Sequence, residues 1–199
     1  MSLRFVDADT VNAALDPEQL VSALRAAFCG DTTVPLRHHH TIPGAPNGTD
    51  ATLLLMPAWS AGTPPDYVGI KSVTVHPDNP ARGLPSVQGV YLLLDGTTGT
   101  PVALIDGPAL TARRTAAASA LASTFLSRTD ATHLLIIGTG SLAPELIHAH
   151  TATRPITRVS VWGRDTQKAQ KLASNFHDAS YEVSAVTDLA QAVRDSDIV

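Results

Sequence analysis

The sequence predicts an α/β protein in two parts: an N-terminal α+β sheet domain and, behind it, the first half of a doubly wound parallel sheet. Three observations predict it. Residues 33–106 break into short β-prone runs separated by Pro/Gly clusters, and residues 109–128 form an alanine-rich stretch of high helix propensity. From 131 onward, strand-like and helix-like runs alternate as βαβαβα. The implied division is 1–108, a connecting helix at 109–130, and 131–199.

Composition narrows the field. A chain of 199 residues, 44% apolar and 16% charged, can bury one ordinary core, or a small one plus part of another. Its mean hydropathy is +0.08, and no apolar run approaches the length a bilayer requires, which argues against a membrane span. Acidic side chains outnumber basic ones, 18 to 14, and the basic ones are scattered, so the footprint of a nucleic-acid binder is missing. Cys29 stands alone, which excludes an intrachain disulfide or a cysteine-rich zinc site. Met1-Ser2-Leu3-Arg4 lacks the apolar core of a secretory leader, so a cytoplasmic location is expected.

The first clear helix opens at Asp16-Pro17-Glu18-Gln19. Asp16 caps the amide end, Pro17 takes the first helical position, and Gln19 completes a capping-box-like pattern. Leu20, Leu24, Ala27 and Phe28 share one face, and Gly30 is the expected stop. Strands are expected at 52–56, 67–75, 90–95 and 101–106, the last two joined by the hairpin loop Gly96-Thr97-Thr98-Gly99.

After Gly107-Pro108, the helix at 109–128 aligns Leu110, Arg114, Ala117, Leu121 and Phe125 in one stripe. Arg113 lies about 100° away around the axis. Arg114 is thus expected on the packed side, where an unpaired charge is costly. Either it meets an anion or its stem carries the charge out to water.

The second part begins with a strand at 133–137 of the kind buried on both faces. It runs directly into Gly138-Thr139-Gly140-Ser141-Leu142-Ala143 and a helix ending near 150. A strand at 157–162, a helix at 165–176, a strand at 181–186 and a helix at 189–193 follow. Asp195-Ser196-Asp197-Ile198-Val199 reads as the approach to a fourth strand, so the sequence offers one half of a six-stranded unit, with the remainder expected from elsewhere.

A strand, Gly-x-Gly-x-x-Ala and a helix, in that order, form the dinucleotide-binding fingerprint of a Rossmann domain. Gly138 permits the tight turn, Gly140 lets backbone approach a pyrophosphate, and Ala143 is small enough for the helix to lie on the strand. The end of the second strand, Val161-Trp162-Gly163-Arg164, lacks the acid that would accept from an NAD ribose. Arg164, aided by Thr166, could instead pair with a 2′-phosphate, which favours NADP(H) over NAD(H). Asp165 reads either as a ribose ligand or as the cap of the next helix.

Candidate chemistry in the first part rests on scarce cations. Lys71 is the only lysine before Lys168, and it shares a strand face with Gly69 and Val73. A lysine beside a glycine opening suggests a site; the alternative is an edge lysine facing water. Arg37, Lys71 and Arg114 offer three cations to a small anion. His38-His39-His40 alternate across a strand and make a poor metal cage, so a solvated segment is expected and no metal site is assigned. Ser86 and Cys29 have no base beside them, and Glu145, Asp78, Asp95 and Asp106 show no catalytic spacing.

Several of these runs resemble the ornithine cyclodeaminase/μ-crystallin family. They are Leu53-Leu54-Leu55-Met56-Pro57-Ala58, Gly69-Ile70-Lys71-Ser72-Val73, Pro77-Asp78-Asn79-Pro80, Leu110-Thr111-Ala112-Arg113-Arg114-Thr115-Ala116-Ala117 and the glycine turn. The resemblance implies an N-terminal sheet domain that binds substrate and forms a homodimer, and a Rossmann domain that binds NAD(H) or NADP(H). It implies that Arg37, Lys71 and Arg114 surround a substrate carboxylate, that Lys71 is the candidate catalytic residue, and that Met56 lines the substrate pocket. It implies a coenzyme site at Gly138, Thr139, Gly140, Ser141, Leu142, Ala143, Gly163, Arg164 and Thr166. The aspartate that the family's cyclodeaminases use later in the Rossmann domain falls beyond Val199.

The expected activity is NAD(P)H-dependent reduction of a cyclic imino acid such as pyrroline-2-carboxylate. Ornithine cyclodeamination with bound NAD, and non-catalytic binding of NADPH and a small ligand as in μ-crystallin, are the alternatives.

Overall fold

The structure is a computed structural model and describes residues 3–46, 48–62 and 65–199. Met1 and Ser2, part of the terminus read above, lie outside the described residues. The chain divides into two compact units: one of residues 1–14 and 26–111, the other of 15–25 and 112–199. Residues 15–25, expected within the N-terminal domain, thus belong with the second.

The first unit is a seven-stranded sheet in the order β1-β7-β6-β5-β4-β2, with β3 also paired to β4. Its strands are β1 (Arg4–Val6), β2 (Thr32–Thr33), β3 (His38–Ile42), β4 (Ala51–Ser60), β5 (Tyr67–Val75), β6 (Val87–Asp95) and β7 (Pro101–Asp106). All neighbours are antiparallel except β1, which runs parallel to β7. The short helix α1 (Ala8–Ala14), capped by Asp7 through the Thr10 amide at 2.9 Å, buries Val11. The β6–β7 loop closes as expected at Gly96–Gly99. There Asp95 Oδ1 accepts from the Thr97 and Thr98 amides and the Thr98 hydroxyl, while Gly99 takes φ +70°. These donors, the Thr98 hydroxyl first, hold the Asp95 carboxyl below its ordinary value.

The second helix, α2 (Pro17–Cys29), begins as the capping pattern requires, with the Gln19 amide donating to Asp16 Oδ1 at 3.0 Å. Its packed face is shifted from the expected one. Val21 is buried and Leu20 and Leu24 partly so, whereas Ala27 and Phe28 are exposed. Helix α3 (Gly107–Leu126) starts with the Ala109 amide on Asp106 Oδ1. Within the second unit, Val21 packs with Ala116, Ala117, Ala120 and Leu121 of α3.

This packing corrects the expected stripe on α3. Ala117 and Leu121 are buried, but Arg114 is exposed and Phe125 is 65% exposed, its ring lying 5.1 Å beneath the Arg25 guanidinium. The buried face is centred on Ala116, Ala117 and Ala120, which lie three, four and seven residues from Arg113, on the same side of the helix. Arg113, not Arg114, therefore points into the packed side, and its Nη1 lies 3.2 Å from Glu145 Oε2.

The remainder of the second unit is the expected alternation. It comprises β8 (His133–Ile137), α4 (Leu142–Thr151), β9 (Arg158–Trp162), α5 (Thr166–Ser174), β10 (Glu182–Val186) and α6 (Leu189–Asp195). The three strands form a parallel sheet ordered β10-β9-β8. Leu134, Ile136, Val159 and Val161 lie at its centre, covered by Ala143, Ile147, Ala169 and Leu172 of the helices. Ile198 bridges Leu134 in parallel on the far side of β8, as the approach to a fourth strand should. Asp197 secures this arrangement by accepting from the Thr132 and His133 amides and pairing with Arg128. Among the described residues, no helix is long and apolar enough to cross a membrane.

Candidate coenzyme and substrate sites

The end of β8 and the end of β9 are tied by the Gly138 amide, which donates to the Trp162 carbonyl at 2.8 Å. To make that bond and turn into α4, Gly138 adopts φ +130°, a conformation that side-chain-bearing residues avoid. Beside it lies a cavity of about 720 Å³. One wall is Ile137, Gly138, Thr139 and Gly140; the other is Trp162, Gly163, Arg164, Asp165 and Lys168.

These residues fit a dinucleotide. A Cβ at Gly140 would meet nothing within 4 Å, so the turn leaves open space where a pyrophosphate needs backbone contact. The first amides of the ten-residue α4 lie at the end of this turn, and the positive end of a helix favours phosphate. Ile137, 49% exposed at the end of an otherwise buried strand, supplies an apolar surface at the cavity.

The other residues implied for this site divide by role. Ser141 precedes α4 without a side-chain cap bond. Ala143 is buried against the sheet, and Leu142 packs toward α3, so both shape the turn from beneath. Thr166 begins α5 but does not line the cavity, whereas Lys168 does. Asp165 is the helix cap: its Oδ1 accepts from the Gln167 amide at 3.0 Å and the Lys168 amide at 3.2 Å. Lys168 was not singled out from the sequence; helical spacing from the Asp165 cap was the available signal.

In the first unit, register brings together part of the expected substrate set. Met56 and Lys71 are directly opposed across β4 and β5, and Lys71 is directly opposed to Tyr91 of β6. Directly opposed residues share a face, so Met56, Lys71 and Tyr91 form one row. Arg37, exposed, immediately precedes His38, the residue paired with Leu55 beside Met56. Arg114 lies on α3 in the other unit.

The expected opening beside Lys71 is filled. A Cβ on Gly69 would fall 1.8 Å from the Tyr91 hydroxyl, so the phenol occupies the space that the glycine vacates. Burial pushes the Tyr91 hydroxyl above its ordinary pKa, keeping it a donor. Sequence reasoning missed Tyr91, which only the β5–β6 register places opposite Lys71. His38, His39 and His40 are exposed on β3, and Cys29 is exposed at the end of α2. Glu145, read as carrying no signal, is the partner of Arg113.

A parallel sheet with a glycine turn opening on a cavity at its strand ends defines a nucleotide-binding α/β unit of the dehydrogenase kind. Residues 6–199 match the ornithine cyclodeaminase/mu-crystallin family, and the chain belongs to it. It is 43% identical over its whole length to an uncharacterized Schizosaccharomyces pombe protein, covering 61% of that protein. It is 41% identical to a Delta(1)-pyrroline-2-carboxylate reductase of Paracoccus denitrificans, over 85% of this chain and 55% of that one. Among solved structures, the Thermococcus litoralis Delta(1)-pyrroline-2-carboxylate reductase in complex with NADH and L-proline superposes with a TM-score of 0.85. The identity is 27%, and the match covers 98% of this chain and 61% of the other. The chain thus spans little more than half the length of the relatives it matches.

Proposed function

We propose that the chain carries the substrate sheet and the coenzyme turn of an NAD(P)H-dependent reductase acting on a cyclic imino acid such as pyrroline-2-carboxylate. The observation that carries this reading is the cavity at Gly138–Gly140, open at Gly140 and flanked by Arg164. The names of the Paracoccus and Thermococcus relatives support the substrate class. When bound, the nicotinamide supplies the hydride; this chain's residues bind, orient and neutralise. Arg37 and Lys71 hold the substrate carboxylate, Met56 packs against its ring, and Arg114 is the third cation assigned to the same anion. Lys71 is the candidate catalytic residue. Holding the acceptor in register removes much of the entropic barrier to transfer.

NADPH is the proposed coenzyme. Arg164 and Lys168 are cations at the cavity wall, and Asp165, the acid there, is engaged in capping α5. A homodimer formed through the N-terminal sheet, working in the cytoplasm, completes the proposal.

The test is to mix the full chain with NADPH and pyrroline-2-carboxylate and follow nicotinamide absorbance. Consumption supports the reductase, and coenzyme binding without consumption rejects it in favour of a ligand-binding role. Ammonia release from ornithine would identify a cyclodeaminase. A Lys71→Ala variant with undiminished turnover would remove that residue from the site.

A further inference from the structure

We infer that Thr139 is a specificity-determining residue: its methyl group keeps position 163 empty and thereby excludes the acid that would select NAD(H). This rests on the coenzyme reading above and deepens it. In sheets of this kind, the residue closing the second strand reads the adenosine ribose, with an acid accepting from a free 2′-hydroxyl and a cation favouring a 2′-phosphate. Here that residue is Gly163, immediately after β9.

The three glycines around the cavity are required for different reasons. Gly138 is demanded by its backbone, at φ +130°. Gly140 is demanded by nothing in the chain itself, since a Cβ there meets no atom within 4 Å. Gly163 has no positive φ to explain it, and a Cβ there would fall 2.8 Å from Thr139 Cγ2. No backbone atom comes nearer than the Asp165 carbonyl oxygen, at 3.5 Å. One side chain, from the middle of the glycine turn, therefore fills the space where a residue at 163 would begin.

Thr139 is β-branched, with few χ1 wells to retreat into, and a 2.8 Å approach is closer than carbon atoms tolerate. An aspartate at 163 must turn the Thr139 side chain out of its place before its carboxylate can reach a ribose. The acid already present cannot substitute, because Asp165 Oδ1 is held by two amides of α5 and its Oδ2 lies 3.9 Å from Lys168 Nζ. Arg164, the wall cation that Asp165 does not engage, is left to read the ribose.

Isothermal titration calorimetry with NADPH and with NADH, on the full chain and on Thr139→Ala, Gly163→Asp and the double variant, tests the inference. Gly163→Asp alone is expected to lose about tenfold in NADPH affinity with little gain for NADH, while the double variant gains about tenfold for NADH over the single one. Thermal melting of Gly163→Ala with and without Thr139→Ala provides a second arm if the aspartate variant does not fold. Gly163→Ala should lower the melting temperature, and Thr139→Ala should restore part of the loss. An NADH gain in Gly163→Asp equal to that of the double variant, or additive melting shifts, would overturn the inference while leaving the coenzyme reading intact. An unaltered chain that binds neither nucleotide would overturn the coenzyme reading itself, and the inference with it.

Discussion

Arg113 Nη1 and Glu145 Oε2 lie 3.2 Å apart, joining α3 to the first turn of the helix that follows the glycine turn. Both side chains are largely withdrawn from water, at 17% and 19% exposure. Glu145 Oε2 accepts no aligned hydrogen bond, so the attraction is one of charge. Replacing Glu145 takes from the Arg113 guanidinium the carboxylate that stands beside it. Glu145→Ala is expected to cost about 1–3 kcal/mol, somewhat less than a fully buried pair would lose. Urea unfolding measures it, and a loss under about 0.5 kcal/mol would make the pair a bystander.

A pH dependence follows from the histidines of α4. Burial holds His150 below its ordinary value, with the nearby Arg154 charge acting in the same direction. Burial likewise lowers His148, although Glu145 opposes it. A histidine whose folded-state value is depressed binds its proton more readily when unfolded, so its contribution is complete above pH 6.5, the ordinary value, and is lost as pH falls below it. The urea midpoint should therefore drop between about pH 7.5 and 5.5, and His150→Leu should flatten the slope. The lowered carboxylates, Asp95 among them, act only further down, because their ordinary value is 3.8. A midpoint that rises on acidification would contradict this account.

The proposed coenzyme site sets Gly140 apart as a residue needed for binding and not for folding. With no atom within 4 Å of a Cβ and no positive φ, Gly140→Val should shift the melting temperature little. The added methyl groups should nonetheless weaken NADPH binding by more than about tenfold, since they stand where the pyrophosphate must approach. Calorimetry and thermal melting on one sample decide it, and unchanged affinity would move the phosphates elsewhere.

On the first unit, Gly69→Ala forces the Tyr91 hydroxyl out of the space it fills, a cost of about 1–3 kcal/mol for overpacking. Combining it with Tyr91→Phe should recover part of that loss, because the hydroxyl is the nearest atom, 1.8 Å from the new Cβ. A double variant no more stable than the single one would show that the ring, and not its oxygen, sets the limit. Urea unfolding of the two variants makes the comparison.

Where local pattern and tertiary need agree, the sequence was legible. The runs at 67–75, 101–106 and 133–137 have the observed bounds of β5, β7 and β8. Strands β1 and β2 lie outside the expected runs, because Arg4, Phe5, Thr32 and Thr33 are exposed, and pairing with β7 and β4 decides their conformation. β4 runs past Met56 through Pro57 to Ser60, against the usual reading of proline as a strand breaker. Pro57 is paired with Ile70 on one side; on the other it falls between the residues that meet β3 and those that meet β2, so its missing N–H interrupts no ladder there. Arg113 and Arg114 show a different limit: a helical wheel gives the angle between two faces, but only the positions of α2 and α4 decide which one packs.

Trp162 carries a consequence of its own. It lines the cavity beside the glycine turn with its indole nitrogen donating to the Thr187 carbonyl at 3.2 Å, and the sequence holds only one other indole, Trp59, in the first unit. The protein thus has a built-in optical reporter at the cavity proposed for the nucleotide. Light absorbed by Trp162 should pass to a reduced nicotinamide arriving there, quenching the native emission without any added dye, and a Trp59→Phe variant would isolate that signal.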